Sequence, residues 1–572
     1  MLALAATPAW ATTYPVGTSR TYKSPCLLVA AVVLQPGDIV EVDPGTYTDA
    51  CQLTASGTAA MPITLRGVPG PRPVFDATGL DLSGAGSVPR AIFQFTGGSH
   101  WRVQHLELKN ATNSSANGAA FRLTAGSLDV IIDDVSVHDC QDGFMSDGPA
   151  TLTVRASEVF HNGAGDGYSH NFYVQGQSVV LIGNHIHDSN GGQNVKVRSH
   201  DAFIAYNLIE NAGNYEIDLI QNPPQTDAPN ANAILIGNVI VRPASASNNS
   251  QVILWGTDNA ADSARNGSLF ALSNTFILAH PSNRLFHAIS PAAGSQIHLV
   301  NSIVHATVSG TGLATDATTA GILVGSNDWI SSNVTTAGSL TSVLSGAAPG
   351  FVSATDLHLT AGSPVLGAGL AGATAVDGTG ATVSGMADQE FSAPLGTTAR
   401  AAGSALDLGA YGFPRASDGG TADAGSPDGG APADAGVPDG GAGDGGGPAT
   451  GASGGPGEVI GSCSTTSGGI PVLAVTVVVL LFANYHITQQ RNLAQREHER
   501  AEANLTAARA AVDDYLTTVS ESRLLKSSLP GLQPLRKELL QTALRYYQGF
   551  VRENRDDPDE SGSFKPSCAG DA

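Results

Sequence analysis

The sequence predicts an all-β protein whose main part is a parallel β-helix, a solenoid of stacked coils. Short blocks of alternating apolar and polar residues recur 23 to 36 residues apart, from HLELKN at 105 to NSIVHA at 301. Gly and Asn punctuate the gaps, which are too short and turn-rich for the helical crossovers of βαβ units. So small a strand set cannot bury its own apolar face, so coils must stack on a shared core. Asn side chains can stack as an internal ladder at the turns.

Composition limits the class of protein. The chain has 572 residues, a formal net charge of −22 and 14% charged residues. This acidic balance excludes a basic nucleic-acid binder. Gly (68) and Pro (31) are abundant, but the three-residue period of collagen is missing. Composition changes twice along the chain, which predicts a β-helix over 12–413, a linker over 414–462 and a different segment after it.

The N-terminus carries an export pattern. Residues 1–11, MLALAATPAWA, are apolar and end in a small-x-small motif, although no basic segment precedes them. We expect a signal peptide here whose true start lies upstream, and a buried N-terminal strand is the alternative. In an exported chain Cys26 and Cys51 are expected to form a disulfide; two buried thiols are the alternative. No cysteine and histidine spacing indicates zinc, and no metal site is predicted.

Residues 470–487, IPVLAVTVVVLLFANYHI, are the candidate transmembrane helix. Eighteen residues at about 1.5 Å each give about 27 Å, close to the roughly 30 Å hydrocarbon core of a bilayer. Three arginines follow, so the positive-inside rule places the C-terminal tail in the cytoplasm and the β-helix outside. The alternative is a buried helix of a globular domain.

The segments on either side of this span are predicted to be a disordered linker and a short helical tail. Residues 414–462 lack hydrophobic periodicity and predict a disordered linker rich in Gly, Asp, Pro and Ala. Residues 488–555 predict a short helical tail with a brief coiled-coil spacing, and 556–572 predict a disordered C-terminus. No partner beyond the membrane is indicated by these segments.

Two motifs in the C-terminal part resemble known sequences. GSCSTTSGG (461–469) resembles the cysteine-bearing C-terminal sorting tails of myxobacterial surface proteins, which implies processing at Cys463. The stretches DDYLTTVSESRLL and GLQPLRKELLQTALRYYQGFV resemble the helical linker between the membrane span and the tetratricopeptide repeats of some bacterial Ser/Thr kinases. Since no kinase motif is present, the tail is interpreted as a fragment or a fusion junction.

The main part of the chain resembles secreted right-handed parallel β-helix proteins of the pectate-lyase superfamily. The resemblance rests on LQPGDIVEVDPGTYTDA (34–50), on central coils such as GYSHNFYV and GNHIHDSNGGQNVKVRS, and on the closing stretches 356–369 and 405–412. It covers about residues 34–412. It implies a right-handed coil, closing turns that cap the solenoid, and a polysaccharide as partner, while the superfamily includes lyases, hydrolases, epimerases and inert adhesins.

Strand alternation assigns the outward side chains, because a β-helix has no internal pocket and a site must lie on its surface. It predicts one outward row of Tyr173, Lys196 and Glu216, and a neighbouring row of Gln175, Arg198 and Asp218. The next coil is expected to turn Trp255 outward. This patch holds one of three lysines in the first 413 residues.

Cleavage of a uronic-acid polymer by β-elimination requires a base, a cation for the carboxylate and an acid for the leaving oxygen. We assign Lys196 as base, Arg198 as carboxylate clamp, and His170 or Tyr173 as acid. Trp255 is the expected sugar platform.

The resemblance to alginate- and chondroitin-type lyases of the superfamily implies an Arg about one coil after the lysine. The sequence GNYEIDL supplies Glu216 and Asp218 there instead. These two acids are therefore assigned to substrate binding. The alternative is a cross-coil ladder of ion pairs, Lys196 with Glu216 and Arg198 with Asp218, each contributing about 0.2 to 1 kcal/mol.

Other polar groups leave further alternatives open. Paired acids of an inverting glycoside hydrolase would come from Glu216, Asp218 and Asp166. The histidines could bind a metal or transfer protons with Asp166 and Asp188, although turn hydrogen bonding is the commoner use of such residues; these histidines are His161, His170, His185 and His187. No cofactor is predicted; acidic Gly- and Asp-containing turns leave calcium as an alternative.

The sequence therefore predicts an extracytoplasmic, membrane-tethered β-helix that binds polysaccharide, with cleavage of uronic-acid polymers as its expected chemistry. A non-catalytic surface or adhesion module is the alternative. We expect the protein at the cell surface or outer membrane, with the β-helix facing outward.

Overall fold

Stacked coils of parallel strands form the part of the chain that the structure describes. The computed structural model describes residues 11–414, apart from 125, 149, 245–249, 260–262, 402 and 405. Strands on successive coils pair in parallel, from 15 residues apart (Val324 and Ser339) to 42 residues apart (Cys51 and Phe93). The predicted parallel β-helix is confirmed. Its right-handedness stays a prediction.

Each coil contributes to three parallel sheets, which we number in the order in which the chain first meets them. Sheet 1 contains Thr13–Val16, Ile39–Val42, Ile63–Gly67, Thr151–Arg155, Ala233–Ile236, Leu269–Leu272, Ile297–Val300, Leu323–Ser326 and Ser339–Thr341. Sheet 2 contains Thr46–Tyr47, Val74–Asp76, Glu158–Phe160, His185–His187, Leu208–Glu210, Val239–Arg242, Thr275–Leu278, Ile303–Ala306, Trp329–Ser331 and Leu344–Gly346. Sheet 3 contains Cys51–Leu53, Ala91–Phe95, Ala119–Leu123, Asp142–Ser146, Ile217–Ile220, Gln251–Gly256, Arg284–Ile289 and Gly312–Ala314.

Four longer strands turn a corner and belong to two sheets. Trp101–Lys109 and Val130–His138 run from sheet 1 into sheet 2. Phe172–Ile182 and Val195–Ala205 run from sheet 3 into sheet 1. Apolar side chains from all three sheets fill the interior as one continuous core.

A short helix, Pro25–Ala31, lies before the second strand of sheet 1. Ser24 caps it, since its Oγ accepts a hydrogen bond from the Leu27 amide at 3.1 Å, and Pro25 occupies the first turn, where no amide is needed. Cys26 and Cys51 form a disulfide with a Cα separation of 5.4 Å, which ties this helix to sheet 3. Within residues 11–414, the other helices that the structure describes are Ala317–Ile322 and the 3₁₀ turn Gln225–Asp227.

A ladder of buried polar side chains follows the corner between sheets 1 and 2. The side-chain oxygen of each member accepts the backbone N–H of the member on the preceding coil, at 2.8 to 3.2 Å. Its members are Asn184, Asn207, Asn238, Asn274, Ser302 and Asp328. The predicted Asn ladder is confirmed, and it satisfies backbone donors that the turn leaves without a strand partner.

The segment after the last coil returns along the outside of the solenoid. Two antiparallel hairpins form there, Thr374–Val376 with Thr382–Ser384 and Gln389–Phe391 with Thr397–Ala399. The Tyr206 hydroxyl donates to Asp388 at 2.7 Å, and apolar residues of sheet 1 pack against this segment.

The closing stretches do not cap the solenoid as expected. Leu359 and Leu408 pack with Ile303 and Trp329, so both stretches lie along the side of sheet 2. Apolar side chains on the outer surface of sheets 1 and 2 give this segment a surface to cover, which explains why the stretches run back over the solenoid rather than extending it.

Several predictions fall on other parts of the chain. The signal peptide except its last residue, the linker, the transmembrane helix at 470–487, the helical tail and Cys463 lie outside the described residues. Within the described residues, no helix combines the length and apolar character needed to cross a membrane.

Candidate functional site

One outward row on sheet 3 brings together three of the predicted site residues. Tyr173 is in register with Lys196, and Lys196 with Asp218. Leu254 and His287 continue the row on the next two coils. The predicted row of Tyr173, Lys196 and Glu216 was therefore wrong, because Asp218 occupies the place assigned to the glutamate. Asp218 is the cross-coil neighbour of Lys196, so it is not that of Arg198 either.

The wrong faces assigned to Glu216 and Trp255 trace to the corner where a coil enters sheet 3. Two consecutive residues face the interior there, as Asn194 and Val195 do, and both are fully buried. Val252 and Ile253 repeat the arrangement two coils later. On the strand of Glu216, alternation assigns Ile217 and Leu219 inward correctly, and only the corner residue Glu216 is placed on the wrong face. On the strand of Trp255, the count starts from Val252 although Ile253 also faces inward, so Trp255 is placed outward.

Glu216 lies inside the solenoid rather than on its surface. Its Oε2 accepts from Asn194 Nδ2 at 2.7 Å, and Asn194 Oδ1 accepts in turn from Asn171 Nδ2 at 2.8 Å. The Arg242 guanidinium donates to Glu216 Oε1 at 2.8 Å, and neither side chain is exposed to solvent. Burial raises the pKa of Glu216, against the opposing effect of Arg242. Its assignment to substrate binding was wrong, because an internal ion pair holds it.

Trp255 also faces the interior. Its ring is fully buried in the core, Nε1 donates to Ser295 Oγ at 2.8 Å, and the Arg265 guanidinium lies 5.5 Å from the ring centroid. The predicted outward sugar platform was therefore wrong, for the same reason of register. An exposed aromatic side chain does exist at Tyr168, which is 83% exposed on the loop before sheet 3. Periodicity could not single out this loop residue.

Lys196 is the centre of the charged cluster. Its Nζ lies 3.2 Å from Asp218 Oδ2 and 3.2 Å from both carboxylate oxygens of Asp258. Burial lowers the pKa of Lys196, but the two aspartates outweigh it and the net direction is upward. Lys196 therefore stays protonated and acts as a cation. Asp258 is a member of the cluster that the sequence did not reveal, since it lies on a loop 62 residues away.

Arg198 extends the same cluster. Its guanidinium contacts the Asp258 carboxylate and also donates to the Gln221 carbonyl at 2.7 Å. Arg198 and Lys196 each lie 5.9 Å from the centroid of the Tyr173 ring. The predicted clamp residue thus faces a carboxylate, but one that the protein itself supplies.

Asp218 is the buried partner of this cluster. Its side chain is fully buried, and Oδ2 accepts from Gln193 Nε2 at 3.0 Å. Its Oδ1 has no hydrogen-bond partner within the described part of the chain. Burial raises the pKa of Asp218, with Lys196 opposing. Asp218 thus balances Lys196 rather than presenting an acid to a ligand.

His170 is a buried acceptor. Its Nδ1 accepts the Gln193 backbone N–H at 3.0 Å, and its backbone N–H donates to Asp142 at 2.9 Å. Burial lowers the pKa of His170 to about 3, so the ring is neutral at physiological pH. Burial raises the pKa of Asp142 to about 8. A neutral histidine with Nδ1 occupied is a poor proton donor, so Tyr173 is the better placed of the two predicted acids.

The acids of the hydrolase alternative are not brought together. Asp166 Oδ1 accepts from the Tyr168 and Ser169 amides at 2.9 and 3.1 Å and so closes its own turn. Glu216 and Asp218 are buried in separate ion pairs. An inverting mechanism needs two accessible carboxyl groups about 6.5 to 9.5 Å apart, which these three residues do not supply.

A shallow cleft of about 610 Å³ lies at the corner between sheets 2 and 3. Its lining is mostly polar and includes Asp139, His161, Asp188, Asn190 and Asn211. The cleft is a second polar surface, separate from the cluster on sheet 3. His161, one of the histidines predicted as a metal or proton-transfer candidate, lies in its lining.

Some solved structures of carbohydrate-active proteins match the chain weakly. An alginate lyase from Paenibacillus sp. str. FPU-7 matches at 16% identity over 54% of this chain and 93% of its own, with a TM-score of 0.34. Pectate lyase Pel9A matches at 15% identity over 71% and 98%, with a TM-score of 0.40. A rhamnogalacturonan lyase matches at 14% identity over 55% and 87%, with a TM-score of 0.35. No protein-family profile and no curated protein matches the sequence.

Proposed function

We propose that the β-helix binds acidic polysaccharide of the uronic-acid type on the outward face of sheet 3. The observation that carries the proposal is the convergence of Lys196 and Arg198 on the single carboxylate of Asp258. A uronate sugar carries the same group with the same charge, and charge-assisted hydrogen bonds to a carboxylate are among the stronger polar contacts.

The two aspartates of the cluster differ in their exposure to solvent. The side chain of Asp258 is 35% exposed, whereas that of Asp218 is fully buried. An incoming carboxylate can therefore replace Asp258, while Asp218 stays in place beneath Lys196. Such an exchange substitutes one carboxylate for another and leaves no buried cation without a partner.

Aromatic side chains lie where sugar rings would stack. The Tyr173 ring lies beside both cations, and Tyr168 is exposed on the adjoining loop. Apolar sugar faces pack on such rings while the hydroxyl groups remain available for hydrogen bonds. Both rings support a proposal in which carboxylate recognition and ring stacking share the face of sheet 3.

Binding without turnover is the activity that the geometry supports best. A protonated Lys196 cannot remove a proton from the substrate, and His170 uses Nδ1 to accept a backbone hydrogen bond. Cleavage by β-elimination is the second candidate, in which the Tyr173 oxygen beside both cations would take the substrate proton and return it to the leaving oxygen.

Calorimetric titration of the full chain with polygalacturonate and with alginate oligomers tests the proposal, with dextran as the neutral control. We expect binding to the two acidic polymers, weakened at high salt, and at least tenfold weaker binding by Arg198→Met. The matched control is Arg155→Met, because Arg155 also pairs with one aspartate, Asp133, but lies on sheet 1. Binding that is equal for dextran, or unchanged in Arg198→Met, would contradict the proposal.

Ultraviolet absorbance of the same mixtures separates the two candidates. β-Elimination leaves an unsaturated sugar that absorbs, whereas binding alone leaves the absorbance constant. An absorbance increase that requires Tyr173 would favour the second candidate over binding without turnover.

We also propose that this domain works outside the cytoplasm, tethered by the span at 470–487. The disulfide between Cys26 and Cys51 supports this, since disulfides persist in oxidising compartments. Protease added to intact cells should remove the β-helix and spare a C-terminal epitope tag. Protection of the β-helix would contradict the topology.

A further inference from the structure

Two histidines and a glutamate meet on the outward face of sheet 2, apart from the sheet 3 cluster. Glu158 is in register with His185 on the next coil, and His187 follows on the same strand and face. One ligand atom from each of the three residues lies within 4.8 Å of the other two. The His185 and His187 rings stack with their centroids 4.0 Å apart.

The hydrogen bonds of His187 orient the ring toward Glu158. Its Nδ1 lies 2.6 Å from Asp188 Oδ2, and Asp188 also accepts from Asn211. A carboxylate oxygen at this distance accepts a hydrogen bond from the ring nitrogen. The ring proton accordingly sits on Nδ1, and the Nε2 lone pair points toward Glu158 Oε1, 3.5 Å away. Nε2 is shielded from solvent and makes no hydrogen bond to the described residues.

This arrangement is the one that metal-binding histidines use. A carboxylate on the far nitrogen fixes the tautomer and the ring orientation of the ligand. Asp188 provides that support to His187. On the next coil, Glu210 Oε1 lies 3.0 Å from His185 Nε2. If a metal bound to this nitrogen, Glu210 would be the nearest carboxylate that could serve as the fourth ligand.

We propose that Glu158, His185 and His187 bind a divalent transition metal of the zinc type. Two imidazoles with one carboxylate suit zinc, copper or nickel better than calcium or magnesium, which prefer oxygen ligands alone. Zinc holds such ligands at about 2.0 to 2.2 Å, which places them about 3.3 Å from one another. The three side chains are 15 to 38% exposed, so rotation can close the remaining distance and solvent can deliver the ion.

His138 provides a matched control on the same face. Its Nδ1 lies 2.7 Å from Asp139, and its Nε2 lies 3.4 Å from Glu107, much like the surroundings of His187. Ser136 stands two residues before it, where the other strand has His185. If ion pairing alone explains the cluster, the two histidines will behave alike; if a metal binds, only His187 will matter.

The test is calorimetric titration of zinc into the tag-free full chain, with cobalt absorbance as a second readout of ligand geometry. We expect a site in the wild type whose affinity falls at least tenfold in both His187→Gln and Glu158→Gln and stays unchanged in His138→Gln. Asp188→Asn should weaken zinc binding by about 10- to 100-fold, because it removes the group that orients His187.

The melting temperature of each variant is first measured without zinc, and the effect of zinc is then expressed as the change from that value. Zinc should raise the melting temperature of the wild type and of His138→Gln, but not that of His187→Gln. Zinc binding that is unaffected by His187→Gln and Glu158→Gln, or that is lost equally in His138→Gln, would overturn the proposal. Polysaccharide binding on sheet 3 plays no part in this readout.

Discussion

Both carboxylate oxygens of Asp258 lie 3.2 Å from Nζ of Lys196, although the two residues are 62 positions apart in the chain. Lys196 also contacts Asp218 at 3.2 Å, so it bridges a buried carboxylate and a more accessible one. The buried aspartate then serves the stability of the sheet, and we propose that the accessible one occupies the place of a ligand carboxylate.

Removing the Lys196 charge should destabilise the fold through Asp218. In Lys196→Met a fully buried carboxylate loses its partner, and breaking such a pair costs about 3 kcal/mol or more. The double variant Lys196→Met with Asp218→Asn should recover part of this loss, because no buried charge is left. Urea unfolding at neutral pH measures both. Equal stability of the single and the double variant would show that Asp218 does not depend on Lys196.

Trp255 and Tyr168 should give opposite results when each is changed to Ala. Trp255→Ala empties a core position and should lower the free energy of unfolding by about 3 to 5 kcal/mol. Tyr168→Ala removes an exposed ring and should leave stability within about 0.5 kcal/mol while weakening polysaccharide binding. Thermal melts and polygalacturonate titrations measure the two effects. A Trp255→Ala protein of wild-type stability would place that ring on the surface.

The pH dependence of stability should reveal Asp142. Its pKa is raised to about 8 in the fold, so the folded protein keeps a proton that the unfolded chain releases above about pH 4. Stability from this group is thus full at low pH and is lost as pH rises toward 8, by at most about 1.4 kcal/mol per pH unit. His170, with a pKa of about 3, opposes this trend only below about pH 6.5.

The window from pH 6.5 to 8 lies above the range in which His170 titrates. Burial also raises the pKa of Asp328, so the contribution of Asp142 is the change in slope between the wild type and a variant that lacks this carboxyl group. Asp142→Asn should flatten the decline in the free energy of unfolding across this window. Asp227→Asn, at an exposed aspartate, is the control and should keep the wild-type slope. An unchanged slope in Asp142→Asn would mean that this carboxyl group is ionised in the fold.

The sequence was sufficient for the solenoid and insufficient for the surface of sheet 3. The repeat spacing and the Asn positions depend on the chain alone, so the coils and the Asn ladder could be predicted. The faces of Glu216 and Trp255 depend on a corner that turns two consecutive residues inward, which alternation does not register. Asp258 joined the cluster through a loop contact that leaves no periodic signal.

The measurement that tests the account most directly is the affinity of Asp258→Asn for polygalacturonate. If Asp258 occupies the place of a substrate carboxylate, removing its charge frees Lys196 and Arg198, and the variant should bind at least tenfold more tightly than the wild type. Asp227→Asn makes the same change in net charge at another site and should bind like the wild type. Unchanged or weaker binding by Asp258→Asn would contradict the account.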